Sequence, residues 1–190
     1  MKKYLFTLLT FFAGLVYADT PVQFIQNNAT QGNAILNSNK PAAQIRTEIE
    51  RLAIPKFDFT RMAALAVGKP WQTATPAQKI ALSAEFQTLL VRTYSSGMLR
   101  YKGSTVSVNP DAKLSNANKE ASVKSTITFK DGKTATADYN LYQSGSSWKI
   151  YNIYLEGASL VTIYRNQFAE EIRKGGIDGL IGVLKTKNSK

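Results

Sequence analysis

The sequence predicts a single α+β domain in which helices pack on one side of a curved, four-stranded antiparallel sheet. Apolar residues recur at helical spacing from Val22 to about Tyr101 and again from Ser159, while the period is two between Thr105 and Leu155. Gly-containing turns punctuate that middle region at hairpin positions. Runs of helices and strands that are segregated, not alternating, define the α+β class.

Val22, Phe24, Ile25, Ile35 and Leu36 supply the apolar face of a first helix or pair of turns. Ile45, Ile49 and Leu52 repeat at helical spacing before Pro55, and Phe57, Phe59, Met62 and Leu65 form a short face ending near Gly68. Thr75-Pro76 opens a long helix. Thr offers a side-chain oxygen to the free amides, and Pro suits the first position, whose N–H has no intrahelical partner. The stripe of that helix runs through Leu82, Phe86, Leu89, Leu90, Thr93, Tyr94, Gly97, Met98 and Tyr101. Such a stripe is packed core or, in part, the wall of a ligand site.

Four strands follow: Thr105 to Val108, Ala121 to Phe129, Thr134 to Tyr142 and Ser147 to Leu155. A two-residue Asp131-Gly132 loop would place Ile127 with Thr136. A three-residue loop, Lys130 to Gly132 with Gly132 left-handed, pairs Ile127 with Ala135 and Val123 with Tyr139. That register groups the apolar side chains and is preferred. A four-residue loop from Gln143 to Ser146 then pairs Leu141 with Trp148, Tyr139 with Ile150 and Ala137 with Asn152. The inner face becomes Val123, Ile127, Ala135, Ala137, Tyr139, Leu141, Trp148, Ile150 and Tyr154. Ala135 and Ala137 are small for such a face, which leaves either a groove or a closely seated helix.

Ser159 to Lys174 reads as a second amphipathic helix with Leu160, Val161, Tyr164, Phe168 and Ile172 on one side. Gly175 and Gly176 cap it. A short last helix carries Ile177, Leu180, Ile181 and Leu184, and the polar tail from Lys185 to Lys190 is expected to fray.

Residues 1–18 have the three parts of a secretory signal peptide: Lys2 and Lys3, an apolar run from Leu5 to Val16, and a small-x-small cleavage signal ending at Ala18. Residues 19–190 then form one domain, exported to the periplasm. The chain has no Cys and no His. Those absences remove disulfides, most transition-metal sites and every His-based catalytic triad. No catalytic residue, metal ligand or cofactor site is expected. The formal charge is +11, but the Lys and Arg residues are scattered and the chain is exported, so nucleic acid is not the expected partner. Anionic headgroups and acidic protein surfaces fit such a charge better, and charge that serves solubility alone stands beside them.

Three blocks carry a resemblance across nearly the whole exported chain: FDFTRMAALAVGKPWQTATPAQ (Phe57 to Gln78), FQTLLVRTY (Phe86 to Tyr94) and the closing WKIYNIYLEGASLV…YRNQF…GGIDGL. In order and spacing they resemble the MlaC, or toluene-tolerance, family of exported phospholipid-binding proteins. Two positions depart. The family usually has Asp where this chain has Asn152, and often a polar residue where it has Ile163. Asn152 keeps hydrogen-bonding capacity without the charge.

The resemblance implies a cystatin-like or nuclear-transport-factor-like curved sheet enclosing an apolar cavity. It also implies a monomeric periplasmic shuttle. Such a shuttle carries one glycerophospholipid between an outer-membrane lipoprotein–porin complex and an inner-membrane ABC transporter bearing MCE domains, and so maintains outer-membrane lipid asymmetry. On that reading the candidate tail-lining residues are Phe86, Leu90, Tyr94, Met98, Tyr101, Ile127, Tyr139, Leu141, Ile150, Tyr154, Val161, Tyr164 and Phe168. Arg92 and Arg165 are candidates for the phosphate, since a guanidinium offers a forked donor pair; either is equally a framework partner. Two alternatives stand beside the carrier: a non-catalytic adaptor with a fully packed core, and an enzyme built on Asp138 with Glu156.

Overall fold

The computed structural model describes residues 19–95 and 97–189; the expected signal peptide and its cleavage site at Ala18 lie outside the described residues. The first part of the chain is helical: α1 (Pro21–Leu36), α2 (Ala42–Ala53), a 3₁₀ turn (Ile54–Lys56), α3 (Phe59–Val67), α4 (Pro70–Thr73) and α5 (Pro76–Ser95). After a second 3₁₀ turn (Met98–Tyr101) come β1 (Thr105–Val108), β2 (Lys113–Ser115), β3 (Glu120–Thr128), β4 (Thr134–Ser144), β5 (Ser147–Leu155) and β6 (Ala158–Ser159), and then α6 (Leu160–Asn188). Among the described residues, no helix is long and apolar enough to cross a membrane.

The helix starts obey local chemistry. Thr20 caps α1 by accepting from Gln23 N–H while the Gln23 side chain accepts from Thr20 N–H, a reciprocal box that satisfies two free donors. Thr75 and Gln78 repeat the arrangement at α5, at 3.2 and 3.0 Å. Asp58 caps α3 and Ser159 caps α6.

The sheet is antiparallel, in the order β1-β3-β4-β5-β6, with β2 also on β3. Four of its strands are those the sequence predicts; β2 and β6 are short additions. The first hairpin has the expected register, Ile127 opposite Ala135 and Val123 opposite Tyr139. Its three-residue loop ends on Gly132 at φ 81°, a conformation that favours Gly.

The second hairpin corrects the sequence reading. Ser144 pairs with Ser147 across a two-residue loop, with Gly145 at φ 61°, as the primed hairpin turns require. Leu141 therefore faces Ile150, not Trp148. A register shift between Asn140 and Leu141 leaves Tyr151 as one extra residue on β5, so Asn140 pairs with Asn152 and Tyr139 with Ile153. A bulge changes the phase of the strand. Beyond it, Ile153 and Leu155 take the face of Tyr139 and Ala137, and Tyr154 pairs with Asp138 on the other side.

Two more expectations, for the long stripe and the tail, are corrected, and one at Gly175-Gly176 holds. The long stripe does not stay on one helix to Tyr101, because α5 ends at Ser95 and Met98–Tyr101 is a separate 3₁₀ turn. Gly175-Gly176 ends a helix as the sequence predicts: within Leu160–Asn188, Gly176 adopts the non-helical φ 66° and ψ −165°, and two helices meet there at a kink. The tail is helical to Asn188, because Leu184 is buried and Asn188 Nδ2 donates to the Glu85 carbonyl and carboxylate at 2.9 and 2.7 Å.

Buried side chains form three groups. One joins α3, α5 and α6 around Met62, Phe86, Phe168 and Leu180. A second seats Phe24 and Ile25 of α1 on Ala121, Val123, Leu141, Trp148 and Ile150 of the sheet. A third links Leu36, Ile45 and Ile49, with Leu99 and Tyr101 against it.

Candidate functional site

One sheet face is buried near the second hairpin and mixed toward the first, where Ser125 and Ala137 are buried among half-buried neighbours. Near the second hairpin, Ala121, Val123, Leu141 and Ile150 are buried beneath α1. Toward the first hairpin, Ile127, Ala135, Tyr139, Ile153 and Leu155 are only half-buried, although alternation and the bulge place them on the same face. The side chains explain part of this. Ala135 is short, and Tyr139 lies between the buried Ala137 and Leu141 along β4. Burial is the main cause that pushes the Tyr139 phenol above its usual pKa, and Ser125, Asp138 and Tyr101 also lie close enough to act on it. Protein therefore surrounds Tyr139 densely while part of its surface stays accessible. The Tyr101 and Phe129 rings lie 5.4 Å apart at the edge of this region. Ser125 contributes no free polar group, because its hydroxyl donates to the Ala137 carbonyl at 2.7 Å.

The sequence-derived tail residues do not form one wall. Phe86, Leu90, Val161, Tyr164 and Phe168 belong to the helical cluster. There Phe86 meets Tyr164 and Phe168 edge-on at 5.0 and 5.2 Å. Leu141, Ile150 and Tyr139 belong to the sheet cluster, and Tyr101 packs against the third. Ile127 is on the half-buried face, Tyr154 is on the opposite one, and Met98 is at the surface. Tyr94 is half-buried near Tyr164, and burial first and Tyr164 second push its phenol up to about 12.

Both headgroup candidates hold framework carbonyls. Arg165 forks onto the Leu65 carbonyl through Nε and Nη2 at 2.9 and 2.8 Å, which serves the last turn of α3, where carbonyls lack helical partners. Arg92 donates to the Asn188 carbonyl at the end of α6. The Glu156 carboxylate accepts from Thr136 N–H, and Asp138 pairs with Tyr154 along the strands.

Asn152 has a definite place. Its Nδ2 donates to Ser159 Oγ at 3.0 Å, and its Oδ1 accepts from Val161 N–H at 3.3 Å. It thus satisfies a free amide in the first turn of α6. Asp could accept there too and would add charge at the positive end of the helix.

Sequence periodicity missed a polar cluster on the opposite sheet face. The Arg61 guanidinium lies 3.8 Å from the Tyr151 ring centroid and 4.8 Å from that of Tyr142, and it pairs with Glu120 at 2.6 Å. Tyr142 O–H donates to Asp58 at 2.5 Å, while Asp58 accepts from Arg61 N–H at 2.8 Å. The cluster pins the start of α3 to β3, β4 and β5. Its signal was the FDFTRM block itself, where an Asp and an Arg interrupt an apolar face.

These features define an α+β protein with an incompletely packed apolar sheet wall, which suits binding more than catalysis. Residues 26–186 match the family model described as MlaC protein, and the chain belongs to that family. It is 28% identical to the toluene tolerance protein ttg2D of Pseudomonas putida over 203 residues, covering 100% of this chain and 94% of that protein. It is also similar to a solved phospholipid-binding protein from Ralstonia solanacearum in complex with a phospholipid. There the TM-score is 0.77 and the identity 27%, over 87% of this chain and 95% of the other.

Proposed function

We propose that this protein is a non-enzymatic periplasmic carrier that binds a glycerophospholipid by its acyl tails. On this reading residues 1–18 are removed on export, and the exported domain moves lipid between outer-membrane and inner-membrane complexes, including an MCE-bearing ABC transporter. The single observation that carries the reading is the half-buried wall of Ile127, Ala135, Tyr139, Ile153 and Leu155. A relative of the same fold, solved with a phospholipid bound, supports it.

The energetics favour enclosure. Each buried CH₂ contributes about 0.8 kcal/mol, so a chain of roughly fifteen methylenes represents about 12 kcal/mol. A carrier has to match the bilayer in enclosing the tails, yet not exceed it by much, or delivery stalls. An apolar wall that is short of complete packing meets that need: separation of the sheet from its neighbours exposes no buried polar group at Ser125. Tyr94, Tyr101 and Tyr139 supply apolar rings with polar ends.

The test is to extract the purified mature chain with organic solvent and to look for phospholipid by mass spectrometry. Ala135→Phe, which fills the wall, is expected to leave a folded protein with less bound lipid. A protein reproducibly free of lipid that also takes none from vesicles would refute the carrier reading and favour a packed adaptor.

A further inference from the structure

We propose that the groove between the Ile54–Thr60 segment and α5 docks an acidic, apolar-anchored segment of a partner protein. The groove has a volume of about 550 Å³. One wall holds Phe57 and Phe59, whose rings stack at 5.6 Å. The other holds Ile80 and Ala84 of α5. Ile80 is 72% exposed, so a large apolar side chain faces water at the edge of a shallow groove.

The rim is cationic. Lys79 and Lys149 line the groove, and among the described residues neither is ion-paired with a carboxylate. Lys149 Nζ is held by the Pro55 carbonyl at 2.5 Å, and Lys79 lies 5.9 Å from the centre of the Trp71 ring. Asp58 also lines the groove, and its carboxylate, held by Arg61 N–H and Tyr142 O–H, offsets one of the two lysines and leaves the lining with one net positive charge.

This combination selects a partner by chemistry. The groove is shallow and open, and an apolar Leu or Phe side chain of a partner segment would cover Ile80 and the Phe57 and Phe59 rings. Carboxylates beside that anchor meet Lys79 and Lys149. The buried anchor supplies most of the affinity, and the rim charges supply orientation and salt dependence.

The groove is separate from the sheet wall. Tyr142 and Lys149 pair across β4 and β5 and point away from the face of Leu141 and Ile150. Ala135 lies six residues from Leu141 along β4, about 20 Å at roughly 3.3 Å per residue. A partner seated in the groove therefore leaves the wall uncovered, and the inference does not rest on lipid binding.

The experiment uses the mature chain and a fluorescent peptide with glutamates flanking a Leu–Phe anchor, compared with the same peptide carrying lysines instead. Binding is read by anisotropy and by amide chemical shifts. The acidic peptide is expected to bind, to shift Ile80, Ala84 and Lys149, and to weaken in about 0.5 M salt. Ile80→Glu and Lys149→Glu are each expected to weaken it about tenfold. Ile80→Glu retains the fold, since the site is exposed and Glu is a good helix former. Lipid content measured in the same variants stays at the wild-type level, so failure of the lipid reading is seen separately. Four results would each overturn the proposal: equal binding of the basic peptide, undiminished binding to both variants, shifts confined to the Ile127–Tyr139 wall, or no peptide binding while phosphatidylglycerol vesicles bind.

Discussion

The helix trio α3, α5 and α6 and the far end of the sheet face are both apolar stripes in the sequence, yet they pack differently. In the trio, Phe86 is 0% exposed and is flanked by rings on two sides. On the sheet, Ile127 and Tyr139 keep accessible surface although the same face is buried a few residues away. Three helices can close on a stripe from several directions. A sheet end is closed only if another element lies across it, and α1 covers the Trp148 end instead. Complete packing supplies stability, and incomplete packing leaves a surface that a ligand can finish.

The largest effect expected from this contrast is at Phe86. Phe86→Ala leaves a cavity among fixed neighbours and should cost about 3–5 kcal/mol. Ile127→Ala should cost about 1–2 kcal/mol, because part of its surface is already wet. Urea unfolding of the two variants measures the difference. Equal losses would break the distinction between core and wall.

The cluster that joins the two regions comes next. Arg61→Met removes a half-exposed ion pair with Glu120 and the contact with two tyrosine rings. The expected cost is about 1–2 kcal/mol, since each contribution is modest when water reaches it. A double-mutant cycle with Glu120→Gln isolates the ion pair. A coupling energy near zero would leave the stacking on Tyr142 and Tyr151 as the main tie between α3 and the sheet.

Period and turn chemistry made much of this fold legible. Thr75-Pro76 starts α5 as expected, and Gly132 sets the first hairpin. The second hairpin was misread because Gly145-Ser146 closes a tighter loop and because the bulge at Tyr151 has no marker in a binary apolar pattern. That one extra residue moves Tyr154 off the inner face and brings Ile153 and Leu155 onto it. The site was harder to read for a related reason. Periodicity assigns Phe86 and Ile127 to inward faces alike, and only the arrangement of distant elements decides which of them is sealed. For Arg165 the sequence left open a phosphate contact and a framework role, because its framework partner, Leu65, is 100 residues away.

The smallest effect concerns tyrosine ionisation at the border of the two regions. The Tyr94 phenol is raised from 10.0 to about 12, mainly by burial and secondarily by Tyr164. Its folded pKa thus lies above its unfolded value. Between those values the folded chain keeps a proton that the unfolded chain has lost. Stability then falls as pH rises. The contribution is fully present below about pH 10 and is lost by about pH 12. Tyr94→Phe should make the alkaline decline in the urea midpoint shallower and leave the midpoint near neutral pH little changed. The comparison of variant with wild type cancels the titration of the lysines common to both. Tyr139 is also raised by burial, so Tyr139→Phe offers the same reading from the sheet side. If lipid fills the wall, bound lipid should protect Tyr139 from ionisation more than it protects Tyr94. Ultraviolet titration of the two variants, with and without lipid, measures that difference.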